Sequence, residues 1–111
     1  MEVVKENLNS RLKVSDDVII TVTRLATLDV KGVAGLDGEI NRLSKISRNP
    51  PITVGMVGDV ASIDVRIKVK GTEKVRNIAE NVQNAVKENV QNMTGLTVAK
   101  VNVTVNGAVF E

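Results

Sequence analysis

Residues 72–107 read TEKVRNIAENVQNAVKENVQNMTGLTVAKVNVTVNG, and the fold turns on them. The first two thirds carry a helical period. Val75, Ile78, Ala79, Val82, Ala85, Val86, Val90 and Met93 recur three or four residues apart, which sets them on one face of a helix. Lys74, Asn77, Glu80, Asn81, Asn84, Lys87, Glu88 and Gln91 fall elsewhere. Thr72 is placed to cap the start, with Glu73 against the positive end of the helix dipole. Gly95 suits the left-handed residue that ends a helix, and Leu96 can fold back over the last turn. About 20 residues at ~1.5 Å each make a rod of ~30 Å with one apolar stripe to cover.

Strand patterns flank that helix on both sides. Ile63, Val65, Ile67 and Val69 alternate with Asp64, Arg66, Lys68 and Lys70 before it. Ala99, Val101, Val103 and Val105 alternate with Lys100, Asn102, Thr104 and Asn106 after it. Period two in β-branched residues predicts half-buried strands, apolar on one face and wet on the other. Strand, helix, strand is a split or crossover unit with the helix across the apolar face.

Further upstream, Ser15-Asp16-Asp17 is a helix start: a serine cap and two acids for the first turn. Val18, Ile19, Val22, Leu25 and Ala26 keep helical spacing. The run Val18–Thr23 is wholly β-branched and would also pass as a buried strand, but the cap and the period favour a helix. The glycine-rich run from Lys31 to Gly38 lacks the lysine and hydroxyl of a phosphate loop and the spacing of a dinucleotide fingerprint. It predicts a helix stop, a short strand and a turn. Residues 52–56 predict another strand, and Gly58-Asp59 a hairpin turn into Val60–Val69. The expected fold is therefore α+β: a small single domain with a mixed or antiparallel sheet of about four strands against two helices. Residues 1–11 are expected to be a flexible N-terminal tail, although Val4, Leu8 and Leu12 could line a short helix, and residues 12–111 the domain.

Composition excludes much chemistry. The chain has 111 residues, no Cys and no His, so thiol catalysis, disulfides, histidine bases and the usual zinc sites are out. Aromatics make up 1%, the single Phe110, which argues against stacking bases or sugars. A net charge of +2 is far from the dense basic patch of a nucleic-acid binder. Lys5 and Glu6 interrupt any apolar leader, and no run approaches the ~20 residues that span a bilayer. Asp16, Asp17, Asp37, Glu39 and Asp59 are the acids nearest turns, where capping and turn chemistry explain them. No catalytic, cofactor or metal constellation is expected.

Two surfaces are candidates for partners. One is the wet strand face with Arg66, Lys68, Lys100 and Asn102. The other is a basic turn, Arg42, Lys45 and Arg48, ahead of the Asn49-Pro50-Pro51 break. Plain solvation would also account for both. On the first reading, Arg66→Glu plus Lys68→Glu leaves folding intact and weakens partner capture.

Several segments together resemble a known family. They are Ser15-Asp16-Asp17-Val18-Ile19 with Val30-Lys31-Gly32-Val33-Ala34-Gly35-Leu36; Ile63-Asp64-Val65-Arg66-Ile67-Lys68-Val69; and Val82 to Leu96 leading into Val98 to Gly107. Roughly residues 12–109 resemble the alkaline-shock-protein/Gls24-type envelope stress family of Gram-positive bacteria. The Met-Thr-Gly-Leu junction followed by the alternating Val-Asn strand is the most specific piece. The resemblance implies a non-enzymatic binding or scaffold protein, cytoplasmic, with self-association. It further implies a membrane anchor protein or a fatty-acid synthesis enzyme as partner, and membrane association only through such a partner. Lys70-Gly71 stands where family members commonly carry an aromatic-glycine pair, and Thr72-Glu73-Lys74 where a proline turn is usual. A small nucleic-acid-binding α/β domain is the alternative function.

Overall fold

The computed structural model describes residues 14–37, 50–71 and 74–109. In chain order these form α1 (Asp16–Leu28), β1 (Val33–Leu36), β2 (Ile52–Val57), β3 (Val60–Lys70), α2 (Val75–Thr94) and β4 (Thr97–Val109).

β3 is the axis of the sheet. β2 returns antiparallel along its first half, from Ile52 opposite Val65 to Val57 opposite Val60. The hairpin closes on Gly58-Asp59, with Gly58 at φ 60°, as the sequence predicts. β1 pairs antiparallel with the far end of β3, from Val33 opposite Val69 to Leu36 opposite Ile67. β1 and β2 thus share one edge of β3, end to end. Arg66 is the joint between them: its N–H donates to the Pro51 carbonyl at 2.7 Å, and its carbonyl accepts from the Asp37 N–H at 2.9 Å. β4 runs parallel along the other edge, so the sheet is mixed.

One face of this sheet is dry. Ala61, Ile63, Val65 and Ile67 have no exposed surface, and Val69 has 1%. α1 lies over β1 and β2, α2 over β4, and the helices pack on each other. Ile19, Val22, Ile78, Val82, Val86 and Val90 fill the space between the helices and the sheet. The opposite face carries no element among the described residues. The expected α+β architecture holds, with two helices on four strands.

α1 is a helix in spite of its β-branched run. The Ser15 hydroxyl accepts from the Val18 N–H at 3.3 Å, and Asp16 and Asp17 sit in the first turn. The Thr21 hydroxyl donates back to the Asp17 carbonyl at 2.8 Å, a bond that suits threonine in a helix. The glycine-rich run is a stop and a short strand, with Gly32 at φ 98° before β1.

α2 departs from expectation at its start. Lys74 holds the cap position, with no side-chain cap bond, while Thr72 and Glu73 lie outside the described residues. Its far end is as predicted: Gly95 is left-handed at φ 75°, and its N–H donates to the Gln91 carbonyl at 3.0 Å. Ile78, Val82, Val86 and Val90 are buried. Val75 and Met93, predicted on the same face, are 46% and 71% exposed because they sit at the helix ends, beyond the covered middle.

β4 breaks the predicted alternation in one place. Ala99 was expected to face inward, but it is exposed, and Val98 and Val101 are the buried residues. The ladder explains this. Val98 pairs with Ala61 and Lys100 with Ser62, so Ala99 is an extra, bulged residue. Asn106 is skipped likewise between Val105 opposite Ile67 and Gly107 opposite Lys68. The two extra residues are why β4 has 13 residues against the 11 of β3.

Candidate functional site

The bare sheet face gathers four of the seven predicted site residues. Arg66 and Lys68 come from β3, and Lys100 and Asn102 from β4, where Lys100 stands opposite Ser62 and Asn102 opposite Asp64. Arg42, Lys45 and Arg48 lie outside the described residues, as does the proposed tail.

The four are not equivalent. Two carboxylates stitch the strands across this face. Asp64 accepts from the Asn102 Nδ2 at 2.8 Å and, at a longer 3.4 Å, from the Thr53 hydroxyl, which ties β4, β3 and β2 together. Asp37, just after β1, accepts from Arg66 Nη2 at 2.9 Å and from Asn106 Nδ2 at 2.9 Å, which ties β1, β3 and β4. Arg66 and Asn102 are therefore engaged inside the protein. Among the described residues, Lys68 and Lys100 form no ion pair.

This corrects the expectation that Arg66→Glu leaves folding intact, since a carboxylate there would face Asp37. Sequence reasoning read Asp37 only as a turn acid. Its partners lie 29 and 69 residues away, so no local signal reveals them.

The Asn106 amide, donating to the Asp37 carboxyl, holds it below its ordinary value of 3.8. Burial opposes this less strongly, and the charges of Arg66 and Lys68 add to the lowering. A depressed carboxylate pKa contributes stability above the unfolded value, and that contribution is lost as pH falls through the folded one. The melting temperature is accordingly expected to drop on acidification below ~pH 4. Asp37→Asn should melt lower at neutral pH and lose less on acidification. Thermal melts of both proteins across that range measure the difference.

Among the described residues no three of His, Cys, Asp and Glu cluster as metal ligands, and no helix is long and apolar enough to cross a membrane. An open groove of about 440 Å³ runs between α1 and α2. Its lining of Val22, Leu25, Ala26, Val30, Ala85 and Met93 is mostly apolar, with Asp29 and Asn89 as its polar members.

Fold and face together define a two-layer α+β domain with one sheet face polar and, among the described residues, open. A model of the alkaline shock protein 23 family, described as having a cell envelope-related function, matches residues 4–110, and the chain belongs to that family. The resemblance read from the sequence is thereby borne out. The chain is 32% identical over 104 residues to the uncharacterized protein YloU of Bacillus subtilis (strain 168), covering 87% of each. It is 30% identical over 101 residues to Spy1614 of Streptococcus pyogenes serotype M6, also uncharacterized, covering 85% of this chain and 84% of the relative. Among solved structures, a variant of the MamM C-terminal domain superposes with a TM-score of 0.56 at 18% identity, over 86% of this chain and 100% of that one. Likeness at that identity is one of fold.

Proposed function

We propose that this chain is a non-enzymatic binding or scaffold protein of the envelope or general stress response, acting through protein contacts and self-association. The observation that carries this reading is the sheet face that no described element covers, on which Lys68 and Lys100 have no ion pair among the described residues while their neighbours Arg66 and Asn102 are tied up. Family membership supplies the envelope context. Antiparallel and mixed sheets that leave one face wet present it to solvent or to a partner. Two lysines with no ion pair among the described residues favour an acidic protein surface and speed its approach.

The partner we favour is a membrane anchor protein or a fatty-acid synthesis enzyme. The protein itself would be cytoplasmic and reach the membrane only through that partner. Residues 12–111 would form one domain, with 1–11 as a tail. The test is a tagged pull-down from a Gram-positive lysate, membranes included, with mass spectrometry of what is retained. Wild type is expected to enrich such a partner, and Lys68→Gln plus Lys100→Glu to lose it. Glutamine is chosen at position 68 so that no new carboxylate is placed beside Asp37. Equal capture by both proteins would contradict the reading. Retention of RNA alone, released steeply by salt, would favour the nucleic-acid alternative instead.

A further inference from the structure

The outer edge of β4 is partly closed by the protein itself, and among the described residues the closure stops midway. α2 reaches over the edge with two glutamines. Gln91 Oε1 accepts from the Val98 N–H at 3.1 Å, and Gln83 Nε2 donates to the Val101 carbonyl at 3.1 Å. The next outward groups belong to Val103 and Val105. The backbone of Arg66 bonds to Pro51 and Asp37 on the far edge of β3, so the neighbouring odd residues of β3 bond toward β4. In a parallel ladder Val65, opposite Val103, bonds to the residues that flank it, Asn102 and Thr104. The N–H and C=O of Val103 and Val105 therefore point out of the sheet. β4 pairs with β3 alone among the described residues. The segment from Asn102 to Asn106 holds no charge and no proline, the usual guards of an exposed edge, and the bulges at Ala99 and Asn106 bracket it.

We infer that a second copy of this chain adds to this edge, antiparallel, with Val103 opposite Val105 of the second copy and the two-fold axis at Thr104. This deepens the self-association in the reading above. The register uses only the outward groups that α2 leaves open. It sets Thr104 against Thr104 and Asn102 against Asn106 on the polar side, and valine against valine on the helix side. No like charges oppose each other, so the segment is complementary to itself. Four backbone hydrogen bonds and a few half-buried valines make a weak, concentration-dependent dimer. A sheet of eight strands results.

Sedimentation velocity over a concentration series tests this on wild type, Thr104→Lys, Thr104→Glu and an equimolar mixture of the two variants. Thr104 is exposed, so thermal melts should match wild type. Wild type should dimerise. Each variant should associate at least about tenfold more weakly, through like charges at the axis, and the mixture should regain the dimer. A wild type that stays monomeric up to about millimolar, unchanged association in either variant, or a mixture that stays monomeric would overturn the inference. Partner capture through Lys68 and Lys100 is read separately. Equal capture by wild type and Lys68→Gln plus Lys100→Glu, with the dimer intact, would count against the scaffold reading alone.

Discussion

Val86→Asp should unfold the protein. Val86 has no exposed surface and sits third in the ladder Ile78, Val82, Val86, Val90 that locks α2 to the sheet. Removing it forfeits about 1.5–3 kcal/mol of apolar burial. Placing a carboxylate there without a partner adds several kcal/mol more, or protonates it at a similar penalty. The sum rivals the ~5–15 kcal/mol that holds a domain together. Circular dichroism should show no cooperative melt above room temperature. The neighbouring exposed substitution Lys87→Asp should melt near wild type, which separates burial from helix propensity. A cooperative melt of Val86→Asp close to wild type would mean that the packed face of α2 is misassigned.

The second large effect concerns the phase of β4, where two single-residue deletions should part sharply. Deleting Ala99 removes the bulged residue and leaves Val98 opposite Ala61 and Lys100 opposite Ser62, so the ladder survives intact. Deleting Asn102 leaves no good register. If the strand holds its first half, Val103 and Val105 turn to the wet face. If it slides through the Ala99 bulge instead, Lys100 turns inward opposite Ile63 and Val101 outward. A one-residue slip exchanges the faces of a strand, and either outcome costs at least about 3 kcal/mol. Urea or thermal unfolding of the two deletions measures the contrast: near wild type for Ala99, strongly destabilised or unfolded for Asn102. Equal damage from both would show that the bulge is not a spare residue.

These residues also show what the sequence reveals and what it hides. Both helices, the hairpin at Gly58 and the stop at Gly95 follow from local rules, because caps, periods and positive-φ turns act within a few residues. α1 is instructive. Its composition argues for a strand, yet Ser15 and the spacing of Ile19, Val22 and Ala26 prevail, since the buried face and the cap outweigh a small propensity cost. Strict alternation back from Val101 puts Ala99 on the inner face, and the bulge there shifts the phase of β4 by one residue. The odd spacing between Val98 and Val101 was the available signal of a bulge.

The candidate face was legible only as a set of positions. That Arg66, Lys68, Lys100 and Asn102 share a side follows from period two. Which of them are occupied does not, because Asp37 and Asp64 engage their partners through pairings made by the whole sheet. The same tertiary information separates Arg66, a strand tie, from Lys68 and Lys100, which have no ion pair among the described residues and are the two charges proposed to meet a partner.

The most direct test of the account is an affinity measurement on that face. The captured partner, once purified, is titrated against wild type and against Lys68→Gln plus Lys100→Glu at low and at physiological salt, with the melts of both proteins checked. The expected result is a cooperative melt of the variant only slightly below wild type, since Lys68 contributes a minor part of the lowering at Asp37, with at least about tenfold weaker binding by the variant and a salt dependence that shrinks with the lost charges. Equal affinity of the two proteins at both salt concentrations would contradict it and move the binding site off the open sheet face.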